Sequence, residues 1–183
     1  MSPSSLDQIF VAFAQYGDRH YGERITQLEH AIQCAVVAAE DGASDSLIAA
    51  SLLHDYGHLI EYASEDLDAP DWDDKHELVA AHALGALFGP DVIQPIALHV
   101  AAKRYLCLVE PGYLEGLSPA SLHSLTLQGG TFTSTQAEQF RQLPYAADAV
   151  KLRRYDDLGK QVDMAVDAFE RYRPLLERLR LPA

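Results

Sequence analysis

The chain has 183 residues, 48% of them hydrophobic, and a formal net charge of −13. That is enough apolar material for one domain with a sizeable core. The charge argues against nucleic acid and anionic membranes as partners, because both need a basic surface, yet it permits a small anionic substrate held in a local basic pocket.

The opening MSPSSLDQIF has neither a basic n-region nor a long apolar run, so no signal peptide or membrane span is expected and the cytoplasm is the default. Two cysteines, Cys34 and Cys107, are too few for a disulfide framework and suit a reducing compartment. Residues 27–41 (QLEHAIQCAVVAAED) keep their polar positions Glu29, Gln33 and Glu40 on one narrow stripe, which predicts a largely buried helix ending at Gly42. Ser44 or Asp45 can cap a second helix over 46–56, with a stop near Gly57. Residues 61–74 (EYASEDLDAPDWDD) read as an acidic loop holding the single tryptophan, Trp72. A third helix is expected over about 74–88 and a fourth over about 91–107, with Pro95 in or near its first turn. Ser118-Pro119 opens a short helix to Leu127, Gly129-Gly130 breaks it, and Ser134 can cap another. Residues 145–155 and 168–180 complete the pattern. No stretch alternates apolar and β-branched residues with period two, so an all-α chain, 1–183 as a single domain, is expected.

The chemistry is concentrated in histidines. His30 shares an arc with Cys34 and Val37. His54 and His58 are one helical turn apart, with Asp55 beside His54. His76 heads a stripe of Ala80, Ala83 and Leu87, and His99 is followed at i+4 by Lys103. One buried histidine alone is more often a hydrogen-bonded core residue than a ligand. His20, His82 and His123 fit that ordinary role at or near the surface, and an acidic pair such as Asp156-Asp157 before Gly159 is usually a solvated turn. Four helices each giving an apolar-face position to an imidazole is a different matter. A His/Asp cluster without thiolate suits a first-row metal such as iron, manganese, zinc or nickel. More than four ligands suggests two metals, with Asp55 placed to bridge them.

The pattern His30, His54-Asp55 and distal Asp156 resembles the HD-domain superfamily, an all-helical metal-dependent fold. QLEHAIQCA (27–35), LLHDYGH (52–58), His76-Glu77, HVAAKRYL (99–106), LSPAS (117–121), LQGG (127–130) and YDDLGKQVD (155–163) narrow the likeness. Together they resemble the HD-domain mixed-valence di-iron oxygenases that cleave carbon–phosphorus bonds, over about residues 20–163. The resemblance implies a helical bundle with the metal site among its central helices, two iron ions (Fe2+/Fe3+) and O2 as co-substrate. One iron would take His30, His54, Asp55 and Asp156. The other would take Asp55, His76 and His99. Substrate-binding positions would be Tyr21, His58, Lys103, Ser121, Ser124, Gln128 and Arg153, with Glu23, His58 and Lys103 the candidate catalytic residues. The implied substrate is a 1-hydroxy-2-(trimethylammonio or amino)ethylphosphonate, giving phosphate and glycine betaine or glycine.

Several residues suit that chemistry. Lys103 one turn after His99 puts an ammonium beside the metals, Arg153 can offer a forked contact, and Ser121 and Ser124 share a face. Trp72 and Tyr62, with Tyr21 and Glu23, could receive a quaternary ammonium by cation–π contact, and this favours the trimethylated form. The alternative reading is an HD phosphohydrolase acting on a nucleotide or small phosphate ester. It leaves the Lys103-Arg104 pair and the LGKQ stretch unexplained. A binding domain with a degenerate metal site is the third reading, and the intact ligand set weighs against it.

Overall fold

The computed structural model describes residues 3–20, 23–63 and 75–182. The first helix, α1 (Leu6–Tyr16), was not anticipated, although Leu6, Ile9, Phe10 and Phe13 form a buried stripe at helical spacing. Phe13 and Phe10 pack on Phe169, with ring centroids 4.1 and 5.0 Å away. This ties the chain's beginning to its C-terminal part.

Helix α2 (Gln27–Glu40) matches the expectation closely. Thr26 caps it and exchanges hydrogen bonds with Glu29, a capping box that fixes the first turn and hence the register of His30. Ser44 caps α3 (Asp45–Leu53) by accepting from Leu47 N. Here the structure departs from expectation. The helix does not run through to a stop at Gly57 but breaks at His54-Asp55, and α4 (Tyr56–Ala63) begins at once with Gly57 inside it. The His54 ring explains part of the break. Its Nδ1 hydrogen-bonds the Ser51 carbonyl at 2.9 Å, competing for an acceptor that the backbone ladder would use. Gly57 serves close approach rather than termination. A Cβ there would clash with the His76 carbonyl, 2.8 Å from its carbon. The expected acidic loop is helical over 61–63, and the rest of it to residue 74 lies outside the described residues.

Helix α5 (His76–Leu84) is shorter than expected, ending at Gly85. Helix α6 (Pro90–Val109) starts after Gly89, and Pro95 falls just past its first turn. Helix α7 (Pro119–Leu127) is capped by Ser118. Helix α8 (Ser134–Arg141) is capped by Thr133, not Ser134, through a second capping box with Gln136. Helix α9 (Ala146–Leu158) follows. The last expected helix is instead a 3₁₀ turn (Phe169–Tyr172) leading into α10 (Arg173–Leu179). Pro174 sits in the first turn of α10, where its missing N–H would find no intrahelical partner in any case, and so suits the start of a new helix there. Among the described residues no strand forms, and the one kind of β contact is an isolated bridge between Phe88 and Arg180.

Helix α6 is the centre of the bundle, packing against α9, α5, α3 and α8. It is also the helix, among the described residues, that is long and apolar enough to cross a membrane. Its buried face explains that composition: Val92, Ile96, Val100 and Leu106 pack inward, and His99 and Lys103 are buried among them. The main core runs through α1 to α6 and α9, with Leu52, Leu53, Leu59, Leu84, Ile96 and Leu152 buried to within 1%.

Gly57→Ala should lower the urea midpoint of unfolding by separating α4 from α5, at a cost of about 1–3 kcal/mol for overpacking. An equilibrium denaturation curve indistinguishable from wild type would show that the α4–α5 approach is not tight.

Candidate metal and substrate site

Five segments bring the histidines together: His30 from α2, His54-Asp55 from the α3–α4 junction, His58 from α4, His76 from the start of α5, and His99 from the middle of α6. Asp156 and Arg153 come from α9. His30, His54, His58, His76, His99 and Asp156 are buried, and Asp55 is partly so. His20, His82 and His123 are exposed, as expected.

Three rings are held in the same way. His30 Nδ1 bonds the Gly159 carbonyl at 2.7 Å, His54 Nδ1 the Ser51 carbonyl at 2.9 Å, and His99 Nδ1 the Ile96 carbonyl at 2.8 Å. A carbonyl only accepts, so each Nδ1 carries a proton; His54 and His99 are neutral rings with an Nε2 lone pair turned inward, while, against its burial, the neighbouring Cys34 and then Asp156 hold His30 well above the usual imidazole range. Burial holds His54 below the usual imidazole range. Burial, then the neighbouring His54 and His76 rings, push His99 well below it.

The inward Nε2 atoms converge on Asp55. Its Oδ1 lies 3.3 Å from His54 Nε2, 3.5 Å from His76 Nε2 and 3.8 Å from His99 Nε2, and its Oδ2 lies 3.6 Å from His30 Nε2. Asp156 Oδ1 is 3.4 Å from His30 Nε2. Ligand atoms of His54, Asp55 and His99, and again of Asp55, His58 and His76, all lie within 4.8 Å of one another. The sequence-level division put His54 with His30 and Asp156, but here His54 also groups with Asp55 and His99. Asp55 is common to both sides. His54 Nε2 is fully buried and makes no hydrogen bond among the described residues. A lone pair facing a carboxylate is repulsive unless a cation lies between them, and this donor set of imidazoles and carboxylates suits a first-row metal.

The approach of α9 to α2 depends on Gly159. A Cβ there would sit 2.5 Å from Cys34 Sγ and 2.9 Å from Cys34 N. The acidic pair ahead of it is therefore no solvated turn: Asp156 points into the site, and the same glycine supplies the carbonyl that anchors His30.

Beside the cluster opens a cavity of about 80 Å³, several times the ~10–15 Å³ needed for one water. Glu23, His58, Lys103, Ser121, Ser124, Gln128 and Arg153 all line it, together with most of the candidate ligands. Tyr21 lies outside the described residues, as does Trp72. Lys103 is 3% exposed and donates to Ser124 Oγ at 2.8 Å. Burial, then the nearby Arg153 guanidinium, push its ammonium down to about 7. Gln128 Oε1 is buried without a hydrogen-bond partner among the described residues.

Arg153 is not the open fork that the sequence suggests. Its donors hold Asp156 at 2.5 Å, Asp157, and Tyr113 Oη at 3.0 Å, and reach Ser121 Oγ at 3.3 Å. Burial works against the ionised Asp156, but Arg153 and then Lys160 overcome it and hold this carboxyl well below the usual range. Lys160 and Tyr113 are not singled out by the sequence, and Asp157 enters there only as half of the acidic pair before Gly159. Lys160 lay within the LGKQ stretch, which was the available signal, and Tyr113 had none.

No family model matches the chain. It is 41% identical over 175 residues to the hydroxymethylphosphonate dioxygenase of Gimesia maris, covering 94% of this chain and 86% of that protein. It is 36% identical over 170 residues to the [1-hydroxy-2-(trimethylamino)ethyl]phosphonate dioxygenase (glycine-betaine-forming) of Leisingera caerulea, covering 91% and 86%. An uncharacterised protein of Acanthamoeba polyphaga mimivirus is 34% identical over 175 residues, covering 94% and 80%. With this likeness along most of its length, beside a buried His/Asp cluster able to hold metal, the chain belongs to the phosphonate dioxygenase family and is an oxidoreductase acting on phosphonates.

Proposed function

We propose that the chain is a single HD domain, residues 1–183, holding two irons and using O2 to cleave the C–P bond of a 1-hydroxyphosphonate, with release of phosphate and a carboxylic acid. The observation that carries this reading is the set of three carbonyl-anchored imidazoles turned on the two oxygens of Asp55, beside a buried cationic wall. His30, His54, Asp55, His76, His99 and Asp156 would hold the metals, with Asp55 shared. When bound, iron would activate O2 and take the substrate's hydroxyl and a phosphonate oxygen as ligands.

The remaining work belongs to the protein. The Lys103 ammonium neutralises phosphonate charge, and Ser124, which already accepts from it, fixes its direction. The unpartnered Gln128 Oε1 is an acceptor for a protonated phosphonate oxygen or the substrate hydroxyl. Arg153 orients Asp156 and Ser121 rather than forking onto the substrate. His58 stacks on His76, with ring centroids 4.1 Å apart, and lies at the cavity wall, where it can hydrogen-bond the substrate. Burial of the site strengthens each of these contacts relative to water.

The substituent on the substrate is less constrained. The Leisingera relative is named for a trimethylamino substrate and the Gimesia relative for hydroxymethylphosphonate. Support for an aromatic cage is thin among the described residues: the Tyr62 ring is already faced by the Arg19 guanidinium, 5.1 Å from its centroid.

Phosphate release from a 1-hydroxyphosphonate by the iron-loaded protein should stop when O2 is removed. Continued anaerobic release would point to the phosphohydrolase instead. Asp55→Ala should lose most of its bound iron by elemental analysis and unfold at lower temperature, because the shared carboxylate and the charge balance go together. Retention of the full metal content would remove Asp55 from the centre. Lys103→Ala should keep its iron while kcat/KM falls by about 10²-fold, equivalent to a lost charge-assisted contact of roughly 3 kcal/mol.

The sign of the pH dependence follows from the same group. Lys103 binds phosphonate as the ammonium, so kcat/KM should decline as pH rises past about 7. The substrate's own second ionisation acts in the opposite sense, so the informative comparison is Lys103→Arg, which stays charged and should lose the alkaline decline. An unchanged decline in Lys103→Arg would assign it to another group.

A further inference from the structure

Residues Gly159, Lys160 and Gln161 leave α9 and lie against α2. The first two meet the site in different ways. The Gly159 carbonyl accepts from His30 Nδ1 at 2.7 Å. The Lys160 ammonium reaches Glu23 Oε1 at 3.1 Å, Ser121 Oγ at 3.1 Å and Asp156 Oδ1 at 3.3 Å. One short backbone segment therefore orients a candidate metal ligand and also carries a cation of the cavity wall.

A single side chain holds the far end of that segment. Gln33, 1% exposed, donates from Nε2 to the Gln161 carbonyl at 2.9 Å, and its Oε1 accepts from the Gln161 N–H at 2.8 Å. A carboxamide has the donor and acceptor of a peptide unit, so it pairs with Gln161 as a residue of a neighbouring strand would. Among the described residues no other protein group bonds the Gln161 backbone. The spacing on the two sides matches. Gln33 follows His30 by three residues, so the two share a face of α2, and their partners Gly159 and Gln161 are two residues apart. Helix α2 thus grips the segment at both ends, and the missing Cβ of Gly159 lets it close on Cys34. The Gln161 side chain itself is exposed, so its part in the LGKQ stretch is played by its backbone.

We propose that Gln33 is a positioning residue for both halves of the site: its amide fixes the backbone after α9 against α2, and so sets the direction of His30, through the Gly159 carbonyl, and the reach of Lys160 to Asp156 and Ser121. The phosphonate half of the proposal rests on the C–P-cleaving reading above. Without the amide the segment keeps one grip instead of two, and a drift of about 1 Å in such a group is enough to be felt at the site.

The test compares affinities at a temperature where every variant is folded. Iron affinity is read by competition with a chelator, and hydroxymethylphosphonate affinity by anaerobic titration with iron in excess. Gln33→Met keeps the length of the side chain and removes both hydrogen bonds. It should weaken iron by about 10-fold and hydroxymethylphosphonate by about 10-fold. Gln161→Ala, which leaves the backbone groups in place, should match wild type in both. Leu176→Ala, a core truncation in α10 that does not line the cavity, should lower the melting temperature and leave both affinities unchanged. Should Gln33→Met fail to fold, Gln33→Asn, which withdraws the amide by one methylene, carries the same expectation. The inference is overturned if the Gln33 variant is less stable yet binds both as wild type does, since the side chain is then merely structural. It is equally overturned if only one of the two affinities falls, if Gln161→Ala has the same effect, if Leu176→Ala weakens both as much, or if wild type binds no hydroxymethylphosphonate. Aerobic phosphate release by wild type tests the underlying reading separately. Its absence with every 1-hydroxyphosphonate would sink that reading, whereas the hold of Gln33 on His30 stands or falls by the chelator competition alone.

Discussion

The structure depends on imidazole nitrogens gathered around one carboxylate. Three imidazoles spend their Nδ1 protons on backbone carbonyls and turn Nε2 towards the same carboxylate. Such an arrangement is costly in a dry core unless positive charge completes it. Much of the local backbone serves this convergence. The helix breaks at His54-Asp55 so that both side chains can face the centre, Gly57 lets α4 close on His76, and Gly159 lets α9 close on α2 while offering the carbonyl that orients His30.

The second organising feature is a reversal of charge. A chain of net charge −13 buries Lys103 and Arg153, and partly buries Lys160, around one cavity. They are stabilised by mutual arrangement with Asp156, Asp157 and Glu23, not by solvent. Arg153 and Lys160 both contact Asp156, so the metal-facing carboxylate and the anion-facing wall form one network. A change on either side is felt on the other, which is why residues of the wall and of the cluster should not behave additively.

The helices were legible where local chemistry alone sets them. Ser44 and Ser118 cap where expected, Thr133 takes the role expected of Ser134 one residue on, and the apolar stripes fall on the buried faces. The stripe of α1 was equally plain and was passed over. The break before α4 was hidden because Gly57 reads as a terminator, while its role is set by His76 across the interface. Arg153 looked like a free fork because Tyr113 becomes its neighbour only when α9 packs beside the turn after α6, although Asp156 and Asp157, at i+3 and i+4 on α9, are within reach from the sequence.

By itself the sequence determined an all-helical chain, its caps and breakers, and the inventory of imidazoles and carboxylates at apolar-face positions, because these follow from a 3.6-residue period and from side chains acting on their own backbone. Only the tertiary structure decided which nitrogen of His30 faces inward, that Asp55 stands at the centre of four imidazoles, and that Lys160 closes on Glu23. Those outcomes rest on contacts between residues far apart in the chain, such as His30 with Gly159 and Glu23 with Lys160. No local rule specifies such contacts, because they form only when the packing of whole helices brings the two ends together.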